Sequence, residues 1–207
     1  NRPPVTASGG EEQPLERGAV GKALGAHGGA VTDVDERRAH LRIAARLDSD
    51  REAAVTVLTS IGGDVSDESQ LVVAAGQNEI EWNVDITDPA LWWPRALGEQ
   101  PLVDVTVDVM IDGAMSDRRE RRTGLRQITW DNWQCTVNGE RLFLKGANYL
   151  PVTELPADAT SERIRGDLQA AVDLGLDALR IHGHIADREV YAVADELGLL
   201  LLQDFPP

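Results

Sequence analysis

Residues 142–205 alternate short apolar runs with helix-like stretches, and this pattern restricts the fold more than any other part of the chain. The runs are Leu142–Lys145 (followed by Gly146, Ala147 and Asn148), Asp177–Ile181 and Leu199–Leu202. An unbroken run such as the last is typical of a parallel strand buried on both faces. Strand–helix–strand crossovers lay their strands parallel, so the sequence predicts a βαβαβ unit. Because the chain ends directly after the third run, we expect this unit to need more strands than 207 residues supply.

Helix-boundary residues separate the three runs. Thr160 and Asp187 are predicted N-caps, because their side-chain oxygens accept hydrogen bonds from backbone N–H groups of the first turn. Gly175 and Gly198 stand where a helix C-terminus favours a left-handed residue. Apolar residues between these positions recur at helical spacing, and their predicted buried stripes are Ile164, Leu168, Ala171 and Val172, then Val190, Ala194 and Leu197.

From Val31 to Ile128 apolar and polar side chains alternate with a period of two, which is typical of half-buried strands. The predicted inward positions are Ala39, Leu41, Ile43, Ala45, Leu47, Val55, Val57, Ile80, Trp82, Val84, Ile86, Val103, Val105, Val107 and Val109. Turns rich in Gly and Asp separate these runs. About seven such strands predict an immunoglobulin-like antiparallel β-sandwich. The fold class is therefore multidomain, a β region followed by an α/β region.

The composition excludes several classes of partner. Hydrophobic residues make up 42% and charged residues 27% of the chain, as in globular proteins. No apolar run reaches about 18 residues, so no membrane span is expected. The formal net charge of −15 argues against nucleic acid and anionic membranes as partners. Cys135 is the single cysteine, and we expect it to be a small buried side chain rather than a reactive thiol.

The chain divides into three predicted regions. Residues 1–30 are rich in Gly, Pro and Ala and lack periodicity, so we interpret them as a linker or poorly ordered lead-in. Residues 31–128 form the predicted sandwich, and 129–207 form the α/β region. Neither an initiator Met nor a signal-peptide pattern stands at Asn1, so we expect the chain to start inside a longer polypeptide, and no localisation is inferred.

Four segments resemble glycoside hydrolase family 2 in their order and spacing. They are LWWPRALGEQPL (91–102), FLKGANY (143–149), LGLDALRIHGH (174–184) and REVYAVADELGLLLLQDF (188–205). The family includes β-galactosidases, β-glucuronidases, β-mannosidases and exo-glucosaminidases, and the likeness is closest to the β-mannosidase-like branch. In this family an immunoglobulin-like sandwich directly precedes a (β/α)₈ TIM barrel. The resemblance therefore implies that residues 129–207 are the truncated start of a catalytic barrel.

The resemblance also implies an activity for the parent polypeptide. It would be a retaining glycoside hydrolase that cleaves terminal β-linked sugars, with a carbohydrate substrate and no cofactor, although some members bind a structural metal. The family's two catalytic glutamates follow the fourth and seventh barrel strands, beyond Pro207. No Asp or Glu of this chain takes either role, so the 207-residue chain alone is predicted to be inactive.

The resemblance assigns a supporting role to Arg180, at the end of the second predicted barrel strand. The family has an arginine there that hydrogen-bonds the nucleophilic carboxylate, and a cation so placed keeps a carboxylate ionised. The alternative is a salt bridge from Arg180 to a structural acid. Asp204, in the QDF motif, either binds sugar hydroxyls or holds Arg180.

Four further residues are candidate substrate-binding groups. His182 stands where mannosidase-like members have a sugar-contacting Trp, and His184 follows on the same loop. Asn148 is either a rim group of the active site or a turn-forming residue, and Tyr149 replaces a frequent Trp. His182 and His184 would also suit a metal pair, but no third ligand is evident and no metal site is predicted.

Other interpretations remain beside this one. Trp92, Trp93 and Pro94 offer a sugar-stacking platform, but we favour packing in a core or a domain interface. The second functional hypothesis is a non-catalytic carbohydrate- or protein-binding β-sandwich module, and the third is a catalytically dead scaffold. We also expect self-association through the truncated barrel, because Leu199–Leu202 would form an unpaired apolar edge.

Overall fold

The computed structural model describes residues 22–34, 37–151 and 159–205. Its strands and helices, in chain order, are β1 (Lys22–Val34), β2 (Arg38–Ser49), β3 (Ala53–Ile61), β4 (Asp64–Val73), β5 (Gly76–Thr87), β6 (Val103–Ile111), β7 (Ala114–Thr123), β8 (Ile128–Asp131), β9 (Gln134–Val137), β10 (Glu140–Leu142), β11 (Gly146–Tyr149), α1 (Ser161–Asp173), β12 (Ala178–Ile181), α2 (Arg188–Leu197) and β13 (Leu200–Gln203).

The first seven strands form two antiparallel sheets, ordered β1-β2-β5 and β4-β3-β6-β7. Their inward side chains share one apolar cluster, drawn from β2 and β5 on one side and β3, β4 and β6 on the other. The predicted alternation is confirmed on β2, where all five predicted positions are buried at 8% exposure or less. The Trp82 indole N–H donates to Thr59 Oγ1 at 2.9 Å inside this cluster, so its polar atom has a partner.

The last three strands form a parallel sheet ordered β11-β12-β13, which makes the βαβαβ connection that the sequence predicted. Both predicted N-caps are confirmed, because Thr160 accepts from the Arg163 N–H and Asp187 from the Glu189 N–H. Gly175 and Gly198 adopt the predicted left-handed φ values of +74° and +76°. The predicted stripe of α1 is buried, and Val190 and Ala194 of α2 are buried with Val193, whereas Leu197 of the predicted α2 stripe is only half-buried.

The start of the parallel sheet was predicted wrongly. Leu142 ends β10, which pairs with β9 through a turn at Asn138 and Gly139, both with positive φ. The parallel strand begins only at Gly146, where an added Cβ would lie 3.0 Å from the Ala178 carbonyl oxygen. Leu142 is buried at 7% exposure in a cluster with β9, so its hydrophobicity reflects hairpin packing and not a parallel strand.

Two more expectations need adjustment. Leu202 is 41% exposed, so the run Leu199–Leu202 is not buried on both faces throughout. Leu202 is in register with Arg180 and lies beyond Ala178 and Leu200, the residues of its face that the Trp92 cluster covers. Strand β1 begins at Lys22 and pairs with β2, so residues 22–30 of the predicted lead-in belong to a sheet. Residues 1–21 lie outside the described residues. The domain boundaries remain a prediction.

A third cluster joins the two regions. Strands β8, β9 and β10 form a small antiparallel sheet, and buried Trp92, Cys135, Val137 and Leu142 pack with Ala178 and Leu200 of the parallel sheet. The Trp92 indole N–H donates to the Asp195 carbonyl oxygen of α2 at 2.7 Å. The expected packing role of Trp92 is confirmed, as is the burial of Cys135 at 2% exposure.

Candidate functional site

The two faces of the parallel sheet have different surroundings. Leu179 and Ile181 of β12 are buried beneath α1 and α2. The alternate residue Ala178 packs against the Trp92 cluster on the opposite face. Arg180 follows Ala178 on that face, two residues nearer the C-terminal end of β12. It lies beyond the cover of the Trp92 cluster, and its side chain is 48% exposed.

Three side chains converge at this C-terminal end. Arg180 Nη2 lies 2.6 Å from Asp204 Oδ2, and His182 Nδ1 lies 3.3 Å from the same oxygen. The Arg180 guanidinium, followed by the His182 ring, lowers the pKa of the Asp204 carboxyl from its ordinary value. Because this pKa is lowered, the carboxylate is ionised at neutral pH. The Asp204 side chain is 34% exposed, so a ligand can reach it.

The backbone around the cluster is tied to the sheet. The Asp204 N–H donates to the Ile181 carbonyl oxygen at 3.0 Å, and the His182 N–H donates to the Tyr149 carbonyl oxygen at 3.2 Å. Gly183 has a φ of +72°, the left-handed region that favours glycine, which allows the chain to turn between the two histidines. The two segments that carry His182 and Asp204 are therefore held to neighbouring strands.

The other predicted site residues lie at different positions. Asn148 is in register with Arg180 on the neighbouring strand and is exposed, which places it on the same face. His184 is half-buried, and its Nδ1 lies 3.1 Å from the His182 carbonyl oxygen. Of the six predicted residues, Arg180, His182 and Asp204 are in direct contact, with Asn148 and His184 next to them.

Tyr149 does not join this group. Its ring packs against the α1 and α2 cluster, and its hydroxyl oxygen is buried with no hydrogen-bond partner among the described residues. Burial, followed by the negative charge of Asp167, raises the pKa of Tyr149 to about 12. In this arrangement the hydroxyl faces the helices and not the cluster of Arg180, so a direct sugar contact through it has no support from the geometry.

Two residues at the site were not predicted from the sequence. Gln203 Nε2 donates to the carbonyl oxygens of His184 and Asp204 at 2.6 and 2.7 Å. The Tyr191 hydroxyl of α2 donates to Gln203 Oε1. The amide thus joins a helix, a loop and a strand end, and no local sequence signal reveals contacts between such separate segments.

The described residues contain no group of three or more His, Cys, Asp or Glu side chains placed to hold a metal ion. None of the helices in the described ranges is long and apolar enough to cross a bilayer. The cluster of Arg180, His182 and Asp204 can instead donate and accept hydrogen bonds from one compact surface, with one fixed cation and one carboxylate.

Comparison with known proteins finds similarity to glycoside hydrolases. The model of the family described as glycosyl hydrolases family 2 matches residues 29–126. An exo-β-D-glucosaminidase of Streptomyces avermitilis is 31% identical over 173 residues, which cover 78% of this chain and 19% of that protein. A β-mannosidase of Capra hircus is 31% identical over 126 residues, or 55% of this chain and 14% of that protein.

Solved structures extend the likeness to both regions. The exo-chitosanase CsxA of Amycolatopsis orientalis superposes on this chain with a TM-score of 0.76 at 25% identity. The superposition covers 92% of this chain and 23% of the CsxA chain. A β-D-mannosidase of Dictyoglomus thermophilum has the same fold over 89% of this chain and 24% of that one, with a TM-score of 0.74 and 24% identity. The chain spans about a fifth of the length of the first of these curated relatives. The chain belongs to glycoside hydrolase family 2.

Proposed function

We propose that the parent polypeptide is a retaining glycoside hydrolase that removes terminal β-linked sugars. In this proposal the present chain contributes an immunoglobulin-like domain and the first three strands of a (β/α)₈ catalytic barrel. The observation that carries the proposal is the contact of Asp204 with Arg180 and His182 at the C-terminal end of a parallel sheet. Active sites of (β/α)₈ barrels lie at that end of the strands.

The arrangement of the strands supports both halves of this assignment. Seven antiparallel strands in sheets of three and four suit an immunoglobulin-like domain. In the parallel sheet, the helices cover one face and small or apolar side chains such as Ala178 and Leu200 fill the other. Closed barrels have this division between an outer ring of helices and a side-chain-filled interior. Arg180 and Asp204 would then point into the upper end of the barrel.

Arg180 and Asp204 have distinct proposed roles. The Arg180 guanidinium carries five N–H donors, and its ion pair with Asp204 leaves others for a second carboxylate. We assign that second partner to the catalytic nucleophile, whose pKa a nearby cation would lower so that it stays ionised. The ionised Asp204 carboxylate, with His182 beside it, would accept hydrogen bonds from sugar hydroxyls on its exposed side.

The chain by itself is proposed to lack turnover, because hydrolysis with retention needs two carboxylates on opposite sides of the scissile bond. Neither is assigned to any Asp or Glu between residues 1 and 207. The relatives named above are exo-β-D-glucosaminidases and β-mannosidases. We therefore propose a terminal β-glucosaminide or β-mannoside as the substrate of the parent polypeptide.

The parent polypeptide should be assayed on aryl β-glucosaminide, β-mannoside, β-galactoside and β-glucuronide. The proposal expects turnover of one of the first two, and proton NMR should detect the β-anomer of the released sugar first. Release of the α-anomer would contradict retention. Binding of a glycan without any turnover would favour the alternative of a non-catalytic carbohydrate-binding module. The 207-residue chain is the control and should be inert.

A further inference from the structure

Gln203 makes more polar contacts than any other side chain beside the cluster. It is in register with Ile181, whose side chain is buried beneath the helices, so Gln203 lies on the helix-facing side of β13. Its amide donates to the carbonyl oxygens of His184 and Asp204 and accepts from Tyr191. The cluster of Arg180 lies on the other face, so Gln203 touches none of its charged atoms directly.

These contacts fix the orientation of the amide. The two N–H donors of Nε2 face two carbonyl oxygens, and Oε1 faces a hydroxyl that donates. If the amide were flipped, its oxygen would oppose both carbonyl oxygens, and its NH₂ group would face the Tyr191 hydroxyl. The two carbonyl oxygens, which can only accept, therefore select the orientation in which Gln203 joins the His184 loop to the end of β13. The Tyr191 hydroxyl, which can donate or accept, donates to Oε1 in this orientation and anchors the amide to α2.

This junction restrains the backbone on both sides of the carboxylate. The Asp204 carbonyl oxygen is held by Gln203, and the Asp204 N–H is held by the Ile181 carbonyl oxygen. The loop that carries His182 is held two residues later through His184. With both backbone segments fixed, the carboxylate has little freedom to leave its contacts with Arg180 and His182.

We propose that Gln203, anchored to α2 by the Tyr191 hydroxyl, is a positioning residue that holds the Asp204 carboxylate and the His182 loop in their ligand-binding arrangement. A consequence of this role for catalysis rests on the proposed function, whereas the hydrogen bonds of Gln203 do not. The contact with Tyr191 adds a role at the site to α2, which also covers the sheet and contacts Trp92 and Arg126 through Asp195. The depressed pKa of the Asp204 carboxyl offers a readout of that arrangement, because it depends first on the Arg180 contact.

A second glutamine provides a matched control. Gln100 Nε2 also donates to two backbone carbonyl oxygens, those of Trp93 and Gly98, at 3.0 and 2.6 Å. It joins a loop of the β region and has no contact with Asp204 among the hydrogen bonds described. Gln100→Leu therefore removes an equivalent pair of side-chain-to-carbonyl bonds away from the cluster, while Gln203→Leu removes such a pair, and the Tyr191 bond, beside it.

The test is a carbon-13 NMR titration of the Asp204 side-chain carboxyl in the 207-residue chain. Gln203→Leu should raise the pKa of Asp204 toward its ordinary value, Tyr191→Phe should raise it less, and Gln100→Leu should leave it unchanged. Tyr191→Phe removes only one oxygen, so it keeps the test decisive if Gln203→Leu does not fold. A folded Tyr191→Phe variant with the titration of the unmodified chain would overturn the proposal, as would an equal shift in Gln100→Leu.

The same variants separate this inference from the proposed function. In an active parent polypeptide, Gln203→Leu should lower kcat/KM at least about tenfold through a misplaced ligand contact, while Gln100→Leu should not. If the parent polypeptide hydrolyses no glycoside, the proposed function fails and the titration still decides the positioning role. If the parent is active and the titration does not move, only the positioning role fails.

Discussion

The β region and the parallel sheet bury their side chains in different ways. In the β region two sheets face each other, and side chains from both fill one shared cluster. In the parallel sheet the helices cover one face, while the Trp92 cluster covers only the N-terminal part of the other. The candidate site lies where this cover ends. The first region is therefore stabilised by its own core, while the second leaves polar groups accessible because one of its faces is covered only in part.

Limited proteolysis of the 207-residue chain should give the largest contrast between the regions. The β region has a core of its own. Strand β13, in contrast, is an edge strand in which Leu202 is 41% exposed, and Phe205 just after it is 75% exposed. We expect early cleavage within residues 142–205, or self-association through this edge in light scattering, while residues 38–123 resist. A monomer uniformly resistant through Phe205 would show that the second region is self-sufficient.

Removal of Trp92 should weaken the connection between the regions. Its ring is fully buried, Arg126 lies 4.2 Å from the ring centroid, and Arg126 also pairs with Asp195 of α2 at 2.9 Å. Trp92→Ala should lower the free energy of unfolding by about 3–5 kcal/mol, measured by urea denaturation. Trp133 is 97% exposed, so Trp133→Ala is the matched control and should change stability little.

A second substitution tests the packing of Trp92 by crowding its ring and not by removing it. A Cβ on Gly124 would lie 2.4 Å from the Trp92 ring, which is too close for any real contact. Gly124→Ala should therefore also destabilise the junction in urea denaturation, whereas Gly166, whose added Cβ meets nothing and whose φ is not positive, has no such conflict. Equal stability of the Gly124→Ala variant and the unmodified chain would mean that Trp92 is not fixed as described.

Arg180→Ala in the parent polypeptide should affect rate rather than folding. Its side chain is about half exposed, so little packing is lost, but the nucleophile would lose the proposed cation. We expect kcat to fall at least about a hundredfold, near 2.7 kcal/mol in barrier. Arg118 pairs with Asp108 on the β region, and Arg118→Ala is the control that should leave kcat unchanged. An unchanged rate with a lower melting temperature would make Arg180 structural only.

The smallest predicted effect is a difference in pH dependence between two aspartates. The Arg118 hydrogen bond lowers the pKa of Asp108, so the stabilisation by Asp108 is present above its ordinary pKa and is lost as pH falls through the lowered value. Burial raises the pKa of Asp195 above its ordinary value of 3.8. The folded state therefore binds this proton more readily than the unfolded state, and stability rises as pH falls through the raised pKa toward 3.8. Asp108→Asn and Asp195→Asn should therefore change the pH slope of stability with opposite signs; slopes of the same sign would contradict one of the assignments.

The local parts of this architecture were predictable from the sequence. Thr160, Asp187, Gly175 and Gly198 act on their own turns, so short-range rules located both helices. The boundary at Leu142 was missed because a hairpin strand and a buried parallel strand have similar apolar composition. The Asn138-Gly139 pair was the available signal, since this dipeptide strongly favours a tight hairpin turn.

The candidate site was only partly predictable. Arg180, His182 and Asp204 were identified from their motifs, but their contact through one carboxylate oxygen depends on the register of two strands. The position of Tyr149 followed from strand alternation once β11 was known to begin at Gly146. Gln203 and Tyr191 were missed because their hydrogen bonds join segments that are separated in the sequence.

A crystal structure of the parent polypeptide with a bound terminal β-glycoside analogue tests the central claim most directly. The account predicts a fourth parallel strand paired with β13, a sugar hydroxyl within about 3.2 Å of an Asp204 carboxylate oxygen, and Arg180 bonded to a glutamate beyond residue 207. A sugar bound away from the C-terminal end of β11–β13, or an edge of β13 left without a parallel partner, would contradict it.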